Sequence, residues 1–445
     1  MVKHVKLEDA PASSIQNTID LHYTMDRSYS NKSHVSPSSA RSLPVKTVAE
    51  YPLPAAAQTH EILAVSDDLL LISQQSDGSL VKVALDDNGQ PTGARKWTIG
   101  SQWSGLHGLA LHSGSGSNSS LSTVWATVQF DNAILQIDPK GNNINSQPQV
   151  IKTIPIPSPA FGPHGVLENN GNLWISCKDS SHVVRINIDN PRDHQVWTVS
   201  RRPIFVAVHP TSGDVFASLD LSSKIWHYKN DGGNGEEIAV PPEKGSTPVG
   251  LIAGADDNAW VVLLGNEATG TGTFGRINKD ASIDWFTMSS EIGSTAPLIH
   301  LAFDQDRTPQ KQQLKPRSSD GSLSDQYTVP DRPSCLRFWL LGSSIECPSC
   351  FNAVFTVKID DISTGGSANP RIAIQNTIML PTQRSGAHRI ISHGGSLYIT
   401  ELTTSTLAHV SGAAVNGLNV SETRDYYSDY GLGLKAQVIG YDNTV

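Results

Sequence analysis

One unit recurs seven times along this chain, and that repetition restricts the fold more than any other feature. Over 445 residues the unit returns at a spacing of roughly 40 to 57 residues, stretched once by an insertion. Each copy opens with a short strand, continues into an apolar strand that usually carries an aromatic, and ends in strands of alternating pattern. The first strands begin at His60 (HEILA), His107 (HGLAL), His164 (HGVL), Ile204 (IFVAV), Val249 (VGLI), His300 (HLAF) and His388 (HRII). The second strands follow in the same order as LLLIS, VWATV, LWISC, VFASL, AWVVL, FWLLG and LYITE. The third strands are LVKVAL, AILQID, HVVRINI, KIWHYK, TFGRIN, AVFTVKI and STLAHVS. Their period-two alternation is that of half-buried strands.

Six outer strands lie inside the array, among them RKWTIG, QVWTVS and IDWFTM, and VKTVAEYPL ahead of the first repeat supplies the seventh. A leading strand that completes the last sheet closes a ring and leaves no free sheet edge. The expected fold class is therefore all-β, a seven-bladed β-propeller closed by an N-terminal strand, over residues 45 to 412. Two β-sandwiches or two separate domains would not produce seven matched units. Residues 1–44 are polar and Ser-rich and read as a flexible arm. Residues 304–334, charged and rich in Pro, Gln and Ser, read as a loop inserted in the sixth blade. Residues 413–445, with Tyr426, Tyr427 and Tyr430, read as a tail that caps one face.

Composition narrows the function classes. A net charge of -9 argues against a nucleic-acid partner, which needs clustered Lys and Arg. No apolar run is long enough to span a bilayer, so no membrane partner is expected. The first residues lack the apolar core of a secretory signal, which points to a cytoplasmic protein with secretion left open. Sequons stand at Asn31, Asn118 and Asn419. Of four cysteines, Cys347 and Cys350 form a CxxC with no second pair to complete a zinc site. They, Cys177 and Cys335 read as structural thiols or one loop disulfide.

The repeat also organises chemistry. The first strand of each blade lines the central channel, so equivalent residues from distant repeats converge on the axis. His60, His107, His164 and His388 hold one position of their repeats, and His300 holds it or lies one residue off, a slip that would flip its side chain. The polar-channel alternative is that these side chains merely hold water. As a site, the imidazoles suit general acid–base work near neutral pH. Glu401 ends the LYITE strand, where the other blades carry Gln74, Val128, Cys177, Leu219, Leu263 and Leu341. A carboxylate there needs a partner: His388, a divalent cation, or Arg389 as an ion pair. Lys178 and Gln129 follow the corresponding positions of their blades and are expected at the channel mouth. The chain has no GxSxG, GxxxxGK[ST] or HExxH, and Gly265–Gly272 reads as a turn.

The motifs GPHGV with LWISCKDSSHVVRI, TPVGL with AWVV and TFGRI, and GAHRI with LYITEL resemble those of the streptogramin lyases, the virginiamycin B lyase-like propellers, over roughly residues 45–412. The resemblance implies a carbon–oxygen lyase that opens a cyclic depsipeptide by β-elimination, not hydrolysis, with Mg²⁺ and no organic cofactor. The family's catalytic His and Glu match His388 and Glu401, with a spacing one residue shorter. Its second His matches His300, and a first-blade Tyr of the family is replaced by His60. On that reading His388 is the general base, Glu401 holds Mg²⁺ or orients His388, and His300 protonates the leaving oxygen. His60, His107, His164 and Lys178 bind a cyclic or polyketide-like natural product. The chain also resembles fungal propellers of secondary metabolism of the hetero-Diels–Alderase type, which dehydrate a substrate before cycloaddition. A third reading is a non-catalytic propeller that binds a protein partner on one face.

Overall fold

The structure is a computed structural model that describes residues 48–112, 122–265, 270–290, 292–303, 335–347, 349–360 and 371–412. Regular structure among them consists of strands and three single-turn 3₁₀ segments. The strands form seven four-stranded antiparallel sheets. Blade one is Thr59–Ser66, Leu69–Gln74, Ser79–Leu85 and Pro91–Thr98. Blades two to six open with Leu106–Leu111, Pro163–Asn169, Pro203–Val208, Pro248–Ala253 and Leu298–Phe303. Blade seven is Ala387–His393, Ser396–Glu401 and Thr406–Val410, completed by Val48–Pro52 from the start of the described chain.

The seam has the expected form. Val48 to Pro52 pairs antiparallel with Val410 to Thr406, and the Leu53 N–H donates to the Ser405 carbonyl at 2.8 Å. The closing strand thus supplies main-chain hydrogen bonds that an open seventh blade would leave exposed. The sixth blade keeps its four strands on either side of residues 304–334. That segment, residues 1–44 and 413–445, and the three sequons lie outside the described residues.

Packing between blades follows from the alternation. The middle of each second strand carries Leu71, Trp125, Trp174, Phe216, Trp260, Trp339 or Tyr398, all buried. Full burial of an apolar side chain of this size contributes about 1.5–3 kcal/mol. Several rings also satisfy their polar tips: Trp125 Nε1 donates to Glu168 at 2.5 Å, Trp260 Nε1 to Asp256 at 2.8 Å, and Tyr398 Oη to the Gly89 carbonyl at 2.6 Å. Cys347 and Cys350 form the loop disulfide, and Cys177 is a buried thiol whose pKa burial pushes up. Among the described residues no helix is long and apolar enough to cross a membrane.

Candidate functional site

Seven equivalent hydrogen bonds set the register at the channel. The residue after each second strand donates its N–H to the carbonyl two positions before the residue that faces the axis. The pairs are Gln75 to Gln58, Gln129 to Gly105, Lys178 to Gly162, Asp220 to Arg202, Leu264 to Thr247, Ser343 to Pro297 and Leu402 to Gly386, at 2.9–3.2 Å. The residues so placed are His60, His107, His164, Ile204, Val249, Ile299 and His388, all buried. Four imidazoles from consecutive blades therefore form one arc, and three aliphatic side chains form the other. Ring centroids in the arc lie 4.6 Å apart for His388 and His60, 4.2 Å for His60 and His107, and 3.7 Å for His107 and His164.

His300 does not belong to this level. Leu298 pairs with Gly342 and His300 with Leu341, so Ile299 holds the position and Gly342, not Leu341, stands level with Glu401. All seven first strands share a bulge at this point: three skip one residue of pairing directly after the axial position's predecessor, as between Ala387 and Arg389, and four skip two, as between Thr59 and Ile62. A bulge leaves one residue unpaired and re-aims it. The next level along the channel reads Glu61, Gly108, Gly165, Phe205, Gly250, His300 and Arg389. A Cβ at Gly108 would meet the His164 carbonyl at 2.4 Å, and one at Gly165 the Ile204 carbonyl at 2.7 Å, so only glycine fits there.

A set of hydroxyls fixes the backbone of the imidazole arc, and the sequence reading missed it. Ser73 accepts the Glu61 N–H at 3.0 Å and donates to the His107 carbonyl of the next blade at 2.5 Å. Thr127 joins Gly108 to the His164 carbonyl at 2.7 and 2.8 Å, and Ser176 joins Gly165 to the Ile204 carbonyl at 2.9 and 2.7 Å. Thr400 does the same across the seam, from Arg389 to the His60 carbonyl, at 3.2 and 2.7 Å. Blade four carries Ser218 there, which accepts the Phe205 N–H at 3.2 Å, and only blades five and six, with Val262 and Leu341, have no hydroxyl at this place. The signal was available, since the penultimate letters of LLLISQ, VWATV, LWISC and LYITE are all Ser or Thr.

Arg389 is the buried cation of the channel. It is 1% exposed, its Nε donates to Glu61 at 2.8 Å, and its guanidinium carbon lies 3.9 Å from the centroid of the Phe205 ring, in the fourth blade. Phe205 in turn lies 5.7 Å, ring to ring, from His300. The contact from blade seven to blade one joins neighbours, whereas those from seven to four and from four to six reach across the channel. Arg389 pairs with Glu61 and not with Glu401.

The imidazoles are neutral at physiological pH. Burial holds the pKa of His60, His107, His164, His300 and His388 well below the usual 6.5, and the nearby charges of Arg389 and, for His60 and His164, Lys178 push the same way. This corrects the expectation of groups that titrate near neutral pH. His164 and His300 donate Nδ1–H to the carbonyls of Ile204 (3.1 Å) and Ile390 (3.2 Å), which fixes their tautomers and leaves Nε2 as an acceptor. His300 is therefore better suited to take a proton than to give one. Both ring nitrogens of His107 and Nδ1 of His388 are buried with no hydrogen-bond partner in the protein, and the only side chain within reach of the His60 ring nitrogens is Gln75.

Glu401 is fully buried but does not meet His388. It pairs opposite Ala387, on the other side of the bulge, and its carboxylate accepts from Ser385 at 2.7 Å, Thr404 at 3.4 Å and Thr406. Burial, with the nearby Glu50 charge, pushes its pKa up to about 7. These donors are at odds with a Mg²⁺ site. A small hard cation needs free oxygen lone pairs in octahedral array, whereas hydroxyl hydrogens point at this carboxylate and burial favours its protonated form. Among the described residues no three His, Cys, Asp or Glu side chains are grouped to hold a metal.

At the mouth, Gln75 donates to Gln129 at 2.7 Å, and Gln129 to Asp179 at 2.9 Å, an amide bridge over blades one to three. The half-buried Lys178 stands beside them, close enough for its charge to act on His60 and His164. A separate cavity of about 190 Å³ between blades three and four is lined by amides, Arg185, Trp174 and Tyr228 and has no imidazole, thiol or carboxylate in its wall.

Fold and site together define a seven-bladed β-propeller with an imidazole-lined axial channel. Among solved structures it is similar to virginiamycin B lyase from Staphylococcus aureus, at 16% identity and a TM-score of 0.55 over 82% of this chain and 98% of that one. A streptogramin B lyase matches at 16% identity and a TM-score of 0.54, over 82% and 97%. The hydrazine synthase of Kuenenia stuttgartiensis matches at 12% and 0.54, over 83% and 98%. The fold resemblance read from the sequence is therefore shown, and at these identities it is a likeness of fold. No protein-family model and no curated protein matches the chain.

Proposed function

We propose that this protein is a carbon–oxygen lyase that carries out β-elimination on a cyclic or polyketide-like natural product at the mouth of its channel. The observation that carries the reading is the arc of buried, neutral imidazoles with unpaired nitrogens, on a fold similar to virginiamycin B lyase. A neutral imidazole is the form that accepts a proton. His388 takes the proton α to a carbonyl, the C–H electron pair becomes the new C=C bond, and the C–O pair leaves with oxygen, which receives the proton. No water is consumed. Only the reacting segment of a substrate reaches the imidazoles, while the rest lies against Lys178 and the amide bridge. A histidine-to-alanine variant of virginiamycin B lyase is described as catalytically inactive and was solved with quinupristin, which makes quinupristin the first substrate to try. Mass spectrometry separates the outcomes: a linear product of unchanged mass supports elimination, and a product heavier by one water rejects it. No product from quinupristin or from a panel of cyclic depsipeptides and β-hydroxy carbonyl compounds also rejects it.

The donor set around Glu401 favours a second reading, a dehydrating cyclase of the hetero-Diels–Alderase type that needs no cation. In that reaction the leaving oxygen departs as water. Retention of dehydration in the presence of EDTA supports it, and loss of activity under EDTA excludes it.

A further inference from the structure

We propose that the channel is a receptor for one anionic oxygen, a substrate carboxylate or the enolate formed from its carbonyl, held by Arg389 together with the imidazole N–H groups of His60, His107 and His388. This deepens the elimination reading by naming the positive charge that faces the developing anion, and its catalytic consequence rests on that reading.

The argument begins with Arg389. A guanidinium carries five N–H donors, and this one is buried, with a carboxylate at Nε, a carbonyl of His388 at 3.4 Å from one terminal nitrogen, and an aromatic face against its plane. Its partner Glu61 lies at the side, on the first blade, with its side chain 16% exposed. Both ring nitrogens of His107 and Nδ1 of His388 then stand without a protein partner, and His60 beside them has only the side chain of Gln75 within reach. A buried polar nitrogen left unpaired costs stability, so such rings gathered at one level mark a place made for a polar guest. The charges that face the guest are Arg389 and Lys178, against Glu61, with Asp220 at the rim paired to Arg202 at 2.6 Å and Asp179 at the mouth accepting from Gln129 at 2.9 Å. No other carboxylate stands among the axial residues of the first two levels. Each neutral imidazole brings one N–H donor. A cation with three such donors matches an oxygen anion, and hydrogen bonds to charged groups are the strong ones. The aliphatic arc of Ile204, Val249 and Ile299 supplies the dry wall that strengthens them.

Formate is the probe. Titrated at constant ionic strength into protein with ¹⁵N-labelled histidine, it is expected to shift the ring nitrogens of His60, His107 and His388 saturably. The double variant Arg389→Met with Glu61→Gln, which leaves no uncompensated buried charge, is expected to bind formate at least tenfold more weakly, with its strand circular dichroism unchanged. His107→Leu, which removes one donor and no charge, gives an independent reading and is expected to weaken binding severalfold. The absence of a saturable shift in the parent, or formate bound equally by both variants, overturns the proposal. The elimination assay reads separately: turnover of a depsipeptide without formate binding removes this inference alone, and formate binding without turnover removes the lyase reading alone.

Discussion

The two arcs of the channel occupy the same positions of the same repeat, yet they differ in nearly every chemical property. Ile204, Val249 and Ile299 line blades four to six, and His388, His60, His107 and His164 line blades seven to three. The backbone accommodates either set, as the seven equivalent register hydrogen bonds demonstrate. Imidazoles are therefore not required by the ring. They also carry a desolvation cost that the aliphatic residues do not; the hydroxyls at Ser73, Thr127, Ser176 and Thr400 that fix main chain near them are not peculiar to this arc, since blade four carries Ser218 at the same place. A feature that costs stability, recurs in four adjacent blades and is absent from three is the mark of a site, not of a scaffold.

The comparison can be broken or sharpened by substitution. The largest effect is expected at His388. His388→Ala should lower turnover of a confirmed substrate about 10²–10⁴-fold, the usual contribution of a general base, while Ile204→Val on the opposite arc leaves it within a few-fold. Equal effects at the two sites would remove the distinction. Next comes Glu401, the buried carboxylate outside both arcs. Its pKa is raised in the folded protein, from 4.5 to about 7, so its contribution to stability is complete below about pH 4.5 and is lost as pH rises through 7. Glu401→Gln is expected to unfold at higher temperature than the parent at pH 8, by the equivalent of about 2–3 kcal/mol, with the gap closing below pH 5. A gap independent of pH would show that the carboxylate does not titrate there.

A smaller change tests the hydroxyls. Thr127→Val keeps the shape but leaves the Gly108 N–H and the His164 carbonyl without their partner, at a cost of about 2 kcal/mol in denaturant unfolding. Val262→Thr, at the same place in blade five, offers the converse test and should gain little, because Gly250 and Ile299 are already placed without it. The smallest expected effect is in the arc itself. His107→Leu removes two unpaired nitrogens, so chemical denaturation should show it as stable as the parent or more stable by about 1 kcal/mol. A loss of several kcal/mol would mean that His107 serves the fold.

Much of this was legible before folding. The strand pattern gave the number of blades, the closing strand and four of the channel imidazoles, because side-chain alternation is a local property written directly in residue order. His300 was less legible, since nothing in an apolar run such as LIHLAF marks which residue ahead of the shared bulge faces the axis. Glu401 stood out as a lone carboxylate, but its partners Ser385, Thr404 and Thr406 were passed over in favour of His388, the more conspicuous neighbour. Arg389 was noticed only as a counter-ion for Glu401. Its true contacts, Glu61 and Phe205, lie 328 and 184 residues away in sequence.

The sequence by itself thus determined the ring: seven amphipathic four-strand units, one of them shared between the two ends, can bury their apolar faces only against each other. What the tertiary structure alone decided was the state of the groups at the axis. Whether an imidazole is charged, whether a nitrogen has a partner and which carboxylate meets the arginine all depend on the dielectric and the neighbours at a point where blades distant in sequence converge. Those quantities belong to the space between the blades, and no single stretch of the chain contains them.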